Sequence, residues 1–265
     1  MGFEQFSTGA TLYSHERYSM IEGRQNAPDR PVLVHKLSLY YSDNKQCMEQ
    51  CTARVREWAQ WRHPFVLEIF DAWKTATDLV FVTRRPAGRS IAEAIRNMQE
   101  FAPDMSFNLV VQAASALRFL HEQNEPHGRL DLECFTFEVD QWIVLSQPGW
   151  GVKLNTIVEE QNMGIISGGE EERALARLQD IVDWAVLAGA LFTADLEFGY
   201  KSLGGQRTRE VSVDASRSLM NTHGVPEAMQ QVILAALQAR SPGAGAGRLT
   251  SFEQVLSALR DVRVQ

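Results

Sequence analysis

Between His127 and Phe137 the chain reads HGRLDLECFTF, which brings an imidazole, a guanidinium, two carboxylates and a thiol into one short stretch. Acid–base and metal-assisted transfer both draw on such groups, yet the residue types limit what this set can do. Arg129 carries a fixed positive charge and has no acceptor, so it cannot serve as a general base. The carboxylates close by are Asp131, Glu133 and Asp140. Beyond the apolar, strand-like run Trp142, Ile143, Val144 and Leu145 comes a turn, Gln147-Pro148-Gly149. Gln147 offers a neutral amide, a poor ligand for a hard dication that prefers charged oxygens. Cys47 and Cys51 lie one helical turn apart, but no nearby His/Cys pair completes the four ligands that structural zinc requires.

The elements that must position these residues can be read from periodicity. Residues 3–23 should form two strands, with a hairpin turning at Gly9. Further strands are expected at Pro31–Leu37, Val66–Trp73 and Asp78–Thr83. Met48, Cys51, Val55, Trp58 and Ala59 recur near helical spacing within 44–61. Phe107, Val110, Val111, Ala114, Leu117 and His121 do so within 104–123, behind Pro103-Asp104. Leu178–Phe192 carries Val182, Ala185, Val186, Gly189 and Ala190, a pattern that predicts burial on more than one face. Helices over Val225–Gln238 and Ser251–Val262 follow, separated by a small-residue loop at 241–247.

This order resembles a protein kinase, over nearly the whole chain and closest in flavour to bacterial Ser/Thr kinases. A kinase catalytic loop reads H-R-D-L-x-x-x-N, where the Asp accepts the substrate hydroxyl proton and the Asn holds a second magnesium. A later D-F-G supplies the main metal ligand. Here His127 keeps its place, Gly128 stands for the Arg, Arg129 for the Asp and Cys134 for the Asn, while Gln147-Pro148-Gly149 stands for D-F-G. Lys36 matches the phosphate-binding Lys that ends a V-A-I-K strand. The helical Glu that should pair with it falls at Arg54, counted back from the turn His63-Pro64-Phe65, and a small register shift would bring in Glu57 instead. Thr83 takes the gatekeeper position, and Val82–Ile91 resembles the hinge, with Arg84 and Arg85 where an acidic and an aromatic residue are usual. Lys36 and Thr83 are thus expected as remnants of a nucleotide pocket. The glycine-rich phosphate loop is reduced to Gly9, so a tight phosphate cradle is not expected.

The resemblance also assigns supporting roles. Asp180 should anchor the catalytic-loop backbone, and Arg248 should pair with the acidic residue that ends the activation segment, residues 150–173, whose hydroxyls are Thr156 and Ser167. Asp131 is the carboxylate nearest the lost base, but two residues along an extended loop turn a side chain elsewhere.

The expected fold class is therefore α+β: a protein-kinase-like bilobal domain with a small antiparallel sheet plus one helix at 1–83, a hinge at 84–90 and a mainly helical lobe at 91–265. The expected function is that of a catalytically inactive pseudokinase, a signalling scaffold or allosteric regulator that binds a protein partner such as a kinase. The alternatives are a nucleotide-binding switch that needs no metal, and an enzyme with atypical transfer chemistry on the same fold. No catalytic residue, metal or cofactor is expected. With 26 Lys and Arg against 33 Asp and Glu, the net charge of −7 argues against a nucleic-acid binder. The longest apolar run, Trp184–Ala194, is too short to cross a bilayer, and no signal peptide is visible, so a cytoplasmic location is expected. An odd number of cysteines, 3, fits a reduced compartment.

Overall fold

The computed structural model describes residues 5–15, 17–38, 45–97, 100–138, 142–146, 149–150, 153–154, 156–157, 169–199, 201–203, 206–208, 212–241 and 247–262. The chain divides into two compact units, 1–86 with 148–168, and 87–147 with 169–265. The break after Pro86 falls inside the stretch expected as a hinge. The described residues of 148–168 belong with the first unit, although the sequence placed them in the helical part.

The first unit holds an antiparallel sheet of β1 (Phe6–His15), β2 (Tyr18–Asn26), β3 (Asp29–Ser38), β4 (Ile69–Lys74) and β5 (Asp78–Arg84), in the order β1-β2-β3-β5-β4, together with the helix α1 (Lys45–Trp58). Both faces of β3 and β5 are buried, which is why these strands read as continuous apolar runs rather than alternating ones. On one face Val32, Val34, Val80 and Val82 form a core with Phe6, Phe70 and Trp73. Phe6 and Trp73 stack at 5.5 Å although their strands are the two edges, so the sheet curls over this face. The other face carries Leu33, His35, Leu37, Leu79, Phe81 and Thr83, all buried. Fully burying a side chain of Val or Leu size contributes about 1.5–3 kcal/mol, so both layers stabilise the strand pair. The expected hairpin turn at Gly9 is not there. Gly9 lies within β1, and the strand runs on to His15 before the chain reverses.

The second unit holds α2 (Ile91–Arg96), α3 (Pro103–Glu122), α4 (Glu170–Thr193), α5 (Val213–Thr222), α6 (Glu227–Leu237) and α7 (Phe252–Arg260). Two small sheets accompany them: β6 (Arg89–Ser90), β7 (Phe135–Phe137) and β8 (Ile143–Leu145) in one, β9 (Lys201–Leu203) and β10 (Gln206–Thr208) in the other. Helix α4 begins at Glu170, earlier than its apolar pattern suggests, because Glu170, Glu171 and Glu172 favour the positive end of the helix dipole. From Asp180 to Leu191 it is buried on every side. Two polar handles tie it to α3: the Trp184 indole donates to the Val110 carbonyl at 3.1 Å, and the Ser106 hydroxyl donates to the Leu191 carbonyl at 2.9 Å. No helix among the described residues is long and apolar enough to cross a membrane.

Candidate functional site

The stretch after α3 is held from below by two carboxylates on α4. Asp180, fully buried, accepts the backbone N–H of His127 at 2.7 Å and of Gly128 at 2.6 Å, and meets His121 Nε2 at 2.8 Å. Asp183 accepts the Leu130 N–H at 3.1 Å and the Gln179 amide at 2.6 Å. A buried polar group is costly unless it is hydrogen-bonded, and these donors are how a buried Asp is tolerated here. Gly128 has a φ of +80°, in the region that favours glycine, so the loop turns sharply between the two anchors. The expected anchoring duty of Asp180 is thus visible in the geometry; Asp183 and His121 are partners that sequence reasoning missed.

The side chains on this frame are engaged locally. Asp131 Oδ1 accepts from the Glu133 N–H at 2.9 Å, the Cys134 N–H at 3.1 Å and the Cys134 thiol at 3.2 Å, which makes it the cap of its own turn. Cys134 is buried, and its carbonyl accepts the Ser146 N–H at 2.9 Å, tying the turn to the strand pair β7–β8. Burial, followed by the nearby Asp131 charge, pushes the Cys134 thiol well above its ordinary range, so it stays protonated. Glu133 bonds to the Ser90 hydroxyl and to Arg96 at 3.0 Å. Arg129 is exposed, and its backbone N–H donates to His127 Nδ1 at 3.4 Å. Asp140, Gln147, Pro148 and Ser167 lie outside the described residues. Gly149 is described, with a φ of +76°.

In the first unit, the strand register decides which residues meet. On the β3–β5 pair Lys36 stands opposite Val80, and Thr83 stands opposite Leu33. Neighbours along a strand alternate faces, so Lys36 and Thr83, expected together in a nucleotide pocket, point to opposite sides of the sheet. Lys36 pairs with Asp78 at 3.2 Å instead. Arg54 pairs with Glu57 at 3.0 Å along the helix, while Cys51, Val55 and Trp58 supply the buried face of α1.

The residue that does share a face with Thr83 is His35. Its Nε2 lies 2.9 Å from the Thr83 hydroxyl and its Nδ1 2.6 Å from the Tyr18 hydroxyl. A neutral imidazole offers one donor and one acceptor, and each hydroxyl can take the complementary role. Burial pushes the His35 pKa down to about 3, so the ring is uncharged at neutral pH. It stacks on Phe81 at 4.6 Å, and Trp150, directly after Gly149, meets both rings edge-on at 6.1 and 5.7 Å while stacking on Trp58 of α1 at 6.0 Å. Sequence reasoning gave Trp150 no role, since a single Trp after a turn has no periodicity to place it.

No protein-family profile matches the chain, and no curated protein is similar to it in sequence. Among solved structures it is similar to Rad53, a protein kinase, in a crystal structure of its residues 1–466 in complex with AMP-PNP. The TM-score is 0.71 at 13% identity, over 97% of this chain and 65% of that one. The chain has a protein-kinase-like fold. In the terms of that fold, the strand pair β3–β5 with α1 belongs to the sheet lobe, and the turn held by Asp180 and Asp183 to the helical lobe. Among the described residues Arg248 donates to the Ser241 carbonyl at 3.5 Å, and Glu170 pairs with Arg177 at 2.9 Å and Arg173 at 3.6 Å. Among the described residues no group of three His, Cys, Asp or Glu is placed to hold a metal.

Proposed function

We propose that this chain is a pseudokinase: a kinase-like fold that transfers no phosphoryl group and works by binding a protein partner, as a scaffold or allosteric regulator in the cytoplasm. The observation that carries this reading is a catalytic-type turn held firmly by Asp180 and Asp183 yet presenting Arg129 and Cys134 where a base and a metal ligand would stand. Arg129 has no lone pair to accept a proton, and a protonated buried thiol is a poor magnesium ligand. Asp131, the nearest carboxylate, already receives three donors from its own turn. In the sheet lobe the face with Thr83 presents the neutral His35 rather than Lys36, so phosphate charge would find no cation from β3 on that side. A frame kept without its chemistry suits recognition by surface, where rigidity lowers the cost of binding.

Phosphotransfer from labelled ATP with magnesium to several protein acceptors tests the reading. No incorporation above background is expected; incorporation abolished by Asp131→Asn would overturn it. The metal-independent nucleotide switch draws support from AMP-PNP in the Rad53 structure alone. Thermal melting with ATP or ADP separates the two: saturation at about a hundred times Kd raises stability by roughly 2.7 kcal/mol. No shift is expected, with or without magnesium, and a shift that needs no magnesium would favour the switch.

A further inference from the structure

Where β2 turns into β3, Arg30 stands directly opposite Gln25. Its guanidinium sits over the ring of Phe70, 3.5 Å from the ring centre, and its Nε donates to the Gln25 side-chain carbonyl at 2.7 Å. Gln25 is itself buried, and its amide donates to the Ala27 carbonyl at 3.3 Å. The guanidinium is thus fixed from two directions, while the donors on its Nη nitrogens meet no acceptor among the described residues. Other arginines of this unit have an acid: Arg24 takes Asp29 at 2.5 and 2.6 Å, Arg85 takes Glu22 at 2.6 Å and Arg62 takes Glu68 at 3.2 Å. Arg30 has none among the described residues, in a chain with 33 Asp and Glu. Its neighbour Asp29 faces the other side of the sheet with Arg24. Asp71, beside Phe70 on β4, is folded onto its own strand, with Oδ1 accepting the Ala72 N–H at 2.8 Å. Holding so long a side chain still costs rotamer entropy, and no ion pair among the described residues offsets it.

A second guanidinium lies on the same face. Arg84 is opposite Val32, two residues from Arg30, a diagonal separation of about 7–8 Å. Two like charges so placed repel each other, and a dianion between them turns the repulsion into attraction. We infer that Arg30, with Arg84, receives the phosphoryl group of a phosphorylated serine or threonine on a protein partner. The inference rests on the partner-binding reading above and names the chemistry that the partner presents. A phosphoryl group brings a charge of about −1.5 to −2 and three acceptor oxygens, enough for both guanidiniums, whereas a carboxylate brings a single charge. An arginine held flat on an aromatic ring offers its outer fork in the geometry that phosphate takes up bidentately. The net charge of −7 repels an extended polyanion across a wide surface. One dianion at one spot responds mainly to charges within about 8 Å at physiological ionic strength, and is the better match.

Titration of the full chain, labelled with nitrogen-15, with a short uncharged peptide carrying one phosphoserine tests the inference through the arginine Nε–H resonances. The expected result is saturable binding that moves the Arg30 resonance, with the unphosphorylated and the glutamate-bearing peptides weaker by about tenfold or more. Arg30→Gln and Arg84→Gln should each weaken the phosphopeptide by about tenfold, and Arg30→Lys, which keeps the charge without the fork, by less. Unchanged melting temperatures show that the variants are folded. No saturable binding, or binding that Arg30→Gln leaves intact, would overturn the receptor. Inorganic phosphate bound as tightly as the phosphopeptide, or oligothymidylate bound more tightly, would overturn the assignment to a protein partner. The titration contains no ATP, so its failure is distinct from any phosphoryl transfer that would overturn the pseudokinase reading.

Discussion

Burial strips His35 of its charge, and the consequence is measurable. Its folded pKa of about 3 lies below the ordinary 6.5, so between those values the unfolded chain takes up a proton that the folded chain refuses. The contribution is therefore whole above pH 6.5 and is lost as pH falls toward 3, at up to roughly 1.4 kcal/mol per pH unit. Lowering the pH from 7 to 5 should cost about 2 kcal/mol through this group. His35→Gln keeps hydrogen bonds available to Tyr18 and Thr83 but cannot titrate, so its stability should fall less over the same range. Urea unfolding of both proteins at the two pH values reads the difference; equal losses would show that His35 is already protonated in the fold. At this scale the sequence announced Lys36 and Thr83 by position but not the face each would take. A one-residue change in strand parity exchanges Lys36 for His35, and parity is fixed by pairing with β2 and β5 rather than by the strand itself.

Helix α4 shows how an element is set by what packs on it. A Cβ added at Gly189 would sit 1.9 Å from the ring of Phe198, itself buried, so the helix approaches that ring through the missing side chain. Alanine is better than glycine in a helix by about 1 kcal/mol, yet the displaced ring outweighs it. Gly189→Ala should lower stability by about 1–3 kcal/mol, as overpacking does. Gly169→Ala, where the new methyl would meet nothing within 4 Å, is the control and should change it by less than about 1 kcal/mol. Denaturant midpoints decide between them, and a stabilised Gly189→Ala would mean that Phe198 is free to move aside. Helices α3 and α4 were legible because their apolar residues recur at helical spacing. Helix α5 was not, since it is only 10 residues long and among them only Ser216 and Met220 are buried.

For the molecule as a whole, the cysteines report whether both units are folded. Cys47 and Cys51 lie on the buried face of α1 in the first unit and Cys134 lies in the second, all buried. Thiolates are the reactive form: the hydrogen bond between Cys47 and Cys51, then burial, pushes Cys51 up and the same bond pulls Cys47 down, so Cys47 is shielded by its burial, while burial first of all keeps Cys134 protonated. A thiol reagent such as Ellman's should find no reactive cysteine in the native chain and all 3 after denaturation, with an onset that tracks loss of structure. Rapid reaction of one thiol in the native protein would show that its unit opens locally.

The sequence by itself determined the kinase-like fold, because the order of strands, helices and turns is readable although the individual motifs do not match. It also determined which chemical groups could stand in the catalytic-type turn, since a residue's acceptors and charge are properties of its type. The partners of those groups were settled by tertiary structure. Asp183 beneath Leu130, and Trp150 against His35 and Trp58, join residues whose meeting depends on how separate elements pack. No local pattern encodes such contacts, because each depends on register and burial that arise only when distant segments close on one another.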